Sequence, residues 1–108
     1  MPEQRREFYR VEFPEQERPM LFLDEISYDV LDICEAGIRF EVENIASLVG
    51  NGRVDAQIRF RDGGVVDSSG DILYQRENSL VVILDNPISL RRVRAEHLYL
   101  INKYSTKD

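Results

Sequence analysis

The chain has 108 residues, 43% of them hydrophobic and 31% charged, with a formal net charge of −6. This length fits one domain with one modest core, and the composition is that of a folded chain, not a disordered one. The acid excess argues against a dedicated nucleic-acid binder: residues 1–43 hold twelve Asp or Glu against five Lys or Arg, and no broad basic stripe offsets phosphate repulsion.

A single cysteine, Cys34, leaves no internal disulfide, and one cysteine with one histidine is too few ligands for a structural zinc cluster. No signal peptide is expected behind Met1, and the longest apolar run, residues 80–84, is far short of a membrane span. The expectation is a cytoplasmic protein without membrane insertion.

Residues 1–10 are polar and charged apart from Phe8 and Tyr9 and read as a flexible, arginine-containing arm. The arm is taken to reach residue 12, with a single globular domain over 13–108. Pro14 and Pro19 bracket a surface connection. Residues 20–23 read as a strand turning at Asp24-Glu25, and residues 28–33 as a second. After Cys34-Glu35-Ala36-Gly37, residues 38–42 alternate with Ile38, Phe40 and Val42 inward. So short a link favours antiparallel pairing.

Asn51-Gly52 is a turn signal that opens the clearest alternation in the chain. Val54, Ala56, Ile58 and Phe60 face one way, and Asp55, Gln57, Arg59 and Arg61 the other, as in a strand with one dry face. Asp62-Gly63-Gly64 is a turn, and residues 65–70 read as a short strand or loop. Residues 71–76 and 80–84 form a hairpin across Glu77-Asn78-Ser79. The run 80–84 is apolar throughout, which predicts a strand buried on both faces. From Ser89, a candidate N-cap, Leu90, Val93, His97, Leu98, Ile101 and Tyr104 recur at spacings of three and four, predicting a helix over about 90–104. Six or seven strands and one terminal helix are most economically a closed or nearly closed antiparallel barrel, since closure removes exposed edges.

The candidate chemistry begins with Arg6 and Arg10, four residues apart and on one side of the chain whether it is extended or helical. Their planar forks suit phosphate oxygens and the guanine O6/N7 edge, with Arg5 as a third candidate; the plainer alternative is a solvated charged terminus. Asp32 either accepts a guanine-like pair of N–H donors or bonds local amides at the turn. Gly37 serves a positive φ, the close approach of a ligand, or an ordinary hairpin. Cys34 has no positioned base in view, since the only histidine, His97, falls in the helix, so no enzyme is expected. Arg91 and Arg92 oppose the helix dipole and call for acidic partners.

Arg6-x-x-x-Arg10 followed by Asp32-x-Cys34-x-x-Gly37 resembles the PilZ domain family, bacterial receptors for the second messenger cyclic di-GMP. The resemblance extends through Phe8-Tyr9-Arg10-Val11, the strand entry Gly37-Ile38-Arg39-Phe40, the central hairpins and the terminal helix. It implies an all-β fold with one helix, a six-stranded antiparallel (split) β-barrel followed by a C-terminal α-helix. By the same resemblance, Arg6 and Arg10 grip phosphates and guanine, Asp32 binds a guanine edge, Gly37 leaves room for the ligand and Arg5 assists. Cys34 stands where the family pattern has serine; sulfur is larger and a weaker hydrogen-bond partner, at a cost of roughly 1 kcal/mol if the hydroxyl makes one contact.

The function so implied is a receptor or adaptor that orders its arm around cyclic di-GMP, taken singly or as an intercalated dimer, and signals to a partner protein. No other cofactor, metal or nucleic acid is expected, and the chain is expected to be a monomer or weak homodimer. The alternative is a degenerate protein-interaction module of the same fold that binds no nucleotide.

Overall fold

The computed structural model describes residues 9–43 and 52–104. Its first strand is β1 (Val11–Glu12), followed by a 3-10 turn (Glu15–Glu17) between the two prolines. Then come β2 (Met20–Leu23), β3 (Ile26–Ile33), β4 (Gly37–Glu41), β5 (Arg53–Val54), β6 (Gln57–Arg59), β7 (Val65–Asp67), β8 (Gly70–Arg76) and β9 (Ser79–Leu84), and last the helix α1 (Leu90–Tyr104). Every strand pair is antiparallel, and the hydrogen-bonded order is β5-β8-β9-β4-β3-β2-β6-β7, with β1 added to β3. The sheet curls into a barrel-like half-shell around one core, and Leu21, Ile33, Ile38, Phe40, Ile58, Phe60 and Leu80 are almost wholly enclosed by it.

Strand inwardness follows the sequence where side chains strictly alternate. Val54, Ala56, Ile58 and Phe60 are buried and Asp55, Gln57, Arg59 and Arg61 exposed; Ile38, Phe40 and Val42 are likewise buried. The turns between β2 and β3 and between β8 and β9 each place one non-glycine residue in the left-handed region, Asp24 at φ 57° and Glu77 at φ 54°. There are nine strand segments among the described residues instead of six or seven. The excess arises because Asp55-Ala56 separates β5 from β6 and Ser68-Ser69 separates β7 from β8. At that corner Ser68 N–H donates to the Ala56 carbonyl at 2.8 Å and Ser69 Oγ accepts from Ala56 N–H at 3.0 Å, so the ladder's donors stay satisfied while the chain bends.

Three expectations are corrected. Residues 80–84 are not buried on both faces: Leu80, Val82 and Leu84 point into the core, but Val81 is half-buried and Ile83 is 43% exposed. The helix is rotated from the expected face: Val93 is buried as expected and His97 half-buried, but Glu96 and Leu100 join Val93 inside while Leu90, Leu98, Ile101 and Tyr104 stay exposed. And Val11–Glu12, placed by the sequence reading in the arm, pair with Ile33 and Asp32 of β3, with Val11 in the core.

Glu96 explains the rotated helix. Its carboxylate, 2% exposed, accepts from Arg92 Nη1 at 2.9 Å and lies 3.8 Å from Arg61 Nε. Arg92 also reaches Asp62 at 3.0 Å and lies over the Phe60 ring; Arg61 lies over Tyr99. A buried charge is tolerable only when so paired. Arg92, read as misplaced near the helix start, thus has the acidic partners its position demands. Ser89 caps the helix, its Oγ accepting from Arg92 N–H at 3.1 Å.

The helix end is held to Glu17, whose side chain is only 7% exposed, and Arg53 of β5 is held to its neighbours by more exposed ion pairs. Lys103 and Tyr104 reach Glu17 at 2.7 and 2.6 Å, and Arg53 reaches Asp71 at 2.7 Å and Asp85 at 2.6 Å. The Lys103 ammonium and Tyr104 hydroxyl hold the Glu17 carboxyl below its ordinary value. Arg53 does the same to Asp85, and the Gly64 N–H, then Arg92, to Asp62. Carboxyls depressed on folding add stability above their unfolded pKa values of 3.8 to 4.5, and that stability is lost as pH falls through the lower folded values. The midpoint of thermal unfolding should therefore hold steady at neutral pH and fall on acidification below about pH 4.5, with a smaller fall in molar salt. A midpoint unchanged from pH 7 to pH 3 contradicts this.

Candidate functional site

Two β-bulges shape the outer face of the sheet. Between β3 and β4 the register shifts from Val30↔Phe40 to Asp32↔Arg39, so Leu31 is the extra residue. Strict alternation would put Val30 and Ile33 on opposite faces; with the bulge both are fully buried, and Asp32 stands opposite Arg39. Between β8 and β9 the register shifts from Ile72↔Val82 to Tyr74↔Val81, making Leu73 the extra residue. Arg39 in turn is opposite Val81. The result is one cross-strand row, Asp32, Arg39, Val81 and Tyr74, running over four adjacent strands.

This row floors a cavity of about 280 Å³. Arg10, Cys34, Gly37, Arg76 and Ile83 complete most of its lining. The turn at its rim is pinned from three sides: Cys34 N–H donates to Gly37 O, Leu84 N–H to Ala36 O and Ile88 N–H to Glu35 O, each at 2.9 Å. A site edge held by backbone bonds on both strands and at the helix approach is preorganised. The apolar outer residues of β9 now have a role, because Val81 and Ile83 supply a flat nonpolar patch between guanidiniums.

The electrostatics are lopsided in a chain of net charge −6: among the described residues, Arg10, Arg39 and Arg76 line the cavity together with one buried carboxylate. Asp32 has a side chain only 7% exposed, and its Oδ2 accepts from Arg39 Nε at 2.8 Å. Among the described residues Arg10 pairs with Glu12, at 3.6 Å with both side chains well exposed, a contact of little energy. Such a cavity offers forked cationic donors for an anion, an aromatic and aliphatic surface for a flat ring, and one carboxylate.

Of the residues singled out by sequence, Arg10, Asp32, Cys34 and Gly37 converge on this cavity, although Arg10 is over twenty residues from the others. Arg5 and Arg6 lie outside the described residues. Gly37 is not a turn residue with positive φ but the first residue of β4, opposite Ile83. A Cβ there would sit 2.8 Å from the Val82 carbonyl oxygen, so the close approach it permits is that of β9. Cys34 is half-buried. His97 lines a different cavity beside the helix and packs edge-on against Tyr9, ring centroids 4.9 Å apart, so the thiol and imidazole are not brought together in either cavity. Arg39, Tyr74 and Arg76 were missed. The available signal for Arg39 was its outward position in the alternation of β4; Tyr74 had none, because a bulge aims it.

No protein-family model matches the chain, and no curated protein matches it.

Proposed function

We propose that this chain is a cyclic di-GMP receptor of the PilZ type, acting as a switch without chemistry. The observation that carries the reading is the convergence of Arg10 with Asp32, Cys34 and Gly37 on one cationic cavity. The cavity volume suits one nucleotide unit, with the rest of a cyclic dinucleotide lying across the open rim. Its composition matches such a ligand: arginine forks for phosphodiester oxygens, and Val81, Ile83 and Tyr74 for the face of a purine. The fold supports the same reading. If residues 53–59 and 65–76 each count as one bent strand, the pairing path returns on itself through six strands, β2, β3, β4, β9 and these two.

In this mechanism the ligand's phosphates draw Arg10 from its weak contact with Glu12 and recruit Arg6 beside it. The conformational entropy lost on ordering is offset by charge-assisted bonds and ring stacking. Arg10 also lines the second cavity, with His97, Leu100 and Ile101, so its displacement reaches the helix surface that a partner protein would read. The exposed apolar residues of that helix, Leu98, Ile101 and Tyr104, favour a second reading, an interaction module of the same fold that takes no nucleotide.

Calorimetric titration with cyclic di-GMP decides between them. Wild-type protein should bind saturably, and Arg6→Ala with Arg10→Ala should weaken binding by about 100-fold or more, as two charge-assisted contacts of roughly 1.5–3 kcal/mol each require. Folded wild-type protein that does not bind sinks the receptor and leaves the interaction module.

A further inference from the structure

We infer that Arg39 is a phosphate-binding residue of the cavity, and that Asp32 acts on the ligand through Arg39, as a positioning residue, instead of reading a guanine edge itself. This rests on the nucleotide site proposed above and changes the assignment within it. Three observations carry it. First, the Asp32 side chain is 7% exposed, so little of its carboxylate is presented to a molecule in the cavity. Second, its Oδ2 already accepts from Arg39 Nε at 2.8 Å, a charge-assisted bond between residues directly opposite on paired strands. Third, Nε is the only guanidinium nitrogen of Arg39 bonded to protein among the described residues, while the side chain is 36% exposed and lines the cavity.

An arginine has five N–H donors in a rigid planar fork. Fixing Nε on a buried carboxylate fixes the plane of the whole group and leaves both terminal nitrogens for an anion. The rotamer entropy of a long side chain is then spent before the ligand arrives, which is how preorganisation raises affinity. The bulge at Leu31 makes the arrangement, since without it Asp32 would not stand beside Arg39. A lysine is a poorer replacement, because its three donors sit on one nitrogen at the end of a flexible stem, and a bond to Asp32 would not fix a planar fork toward the ligand.

The test is a double-mutant cycle of Arg39→Gln and Asp32→Asn, titrated with cyclic di-GMP at low and high salt, with unfolding of each unliganded variant measured alongside. Arg39→Gln should bind about 10- to 100-fold more weakly, as loss of a charge-assisted contact requires, with a shallower salt dependence that a merely structural defect would not produce. Asp32→Asn should weaken binding alone but change it by less than about twofold once Arg39 is already Gln, because the two act as one unit. If Asp32→Asn keeps its full effect in the Arg39→Gln background, the carboxylate touches the ligand directly and the inference fails. Wild-type or tighter binding by Arg39→Gln also overturns it, making Arg39 a cover over Asp32. Should Arg39→Gln not fold, Arg39→Lys takes its place: weakened binding supports the fork and wild-type affinity refutes it. Wild-type protein that binds no cyclic di-GMP removes the nucleotide site and this inference together, whereas binding unaffected by Arg39 removes this inference alone.

Discussion

Gly70→Ala is expected to lower stability by on the order of 3 kcal/mol, at the upper end of the range for overpacking. Gly70 opens β8 at the corner of the sheet, paired with Val54 of β5 on one side and Leu84 of β9 on the other. A Cβ at this position would overlap the Ile83 carbonyl oxygen and lie 2.9 Å from both the Ile83 carbonyl carbon and the Leu84 Cα. All three are backbone atoms of the neighbouring strand, so no side chain can rotate out of the way. The strain falls where β9 also makes its end contacts, Leu84 N–H to Ala36 O and Asp85 N–H to Ser69 O, each 2.9 Å. Opening β8 from β9 there loosens the corner and the cavity rim together. The thermal midpoint should fall by roughly 12 °C or more for a chain of this size. A denaturant midpoint equal to wild type would mean the two strands are not this close.

What the sequence disclosed was the part governed by short-range periodicity. Val54 to Phe60 and Ile38 to Val42 alternate without interruption, so their buried faces could be read directly. Ser89 announced the helix start, and its Oγ does cap it. Where the period was broken, the reading failed. Val30 and Ile33, three apart, share a face only because of the bulge at Leu31, and Tyr74 reaches the cavity by the bulge at Leu73. Neither extra residue is distinguishable from its apolar neighbours in sequence. The run 80–84 looked buried on both faces because apolarity does not say what covers an outward face; Val81 and Ile83 floor a cavity. The helix phase was misread for the opposite reason. A charged residue, Glu96, holds a core position by virtue of Arg61, thirty-five residues earlier in the chain, and Arg92.

The candidate site was legible only in its motif positions, through resemblance. Spacing alone left Asp32 open between a ligand contact and a turn, and the structure supplies a third role, as partner to Arg39. Arg39 and Arg76 belong to the site by cross-strand register, which joins residues far apart in sequence and leaves no local mark.

Gly37→Ala separates what the fold requires from what the ligand requires, and its expected cost is roughly 1–3 kcal/mol, the usual range for forcing extra volume into a packed position. The resemblance assigns this glycine to ligand clearance. The geometry assigns it first to the sheet, because an added Cβ would meet the Val82 carbonyl oxygen at 2.8 Å and that oxygen belongs to the strand paired with β4. Moving β9 aside would carry Val81 and Ile83 away from Arg39, so, under the proposed function, affinity for cyclic di-GMP should also fall, but as a consequence of a loosened sheet. The order of effects is therefore the test. In protein without ligand, Gly37→Ala should unfold at lower denaturant than wild type, and binding should weaken in step. Clearance for the ligand alone makes the opposite forecast: unliganded stability unchanged and binding lost. Only that second pattern would return Gly37 to the ligand, since an obstructed ligand costs nothing until it arrives, whereas an obstructed strand is paid for in the empty protein.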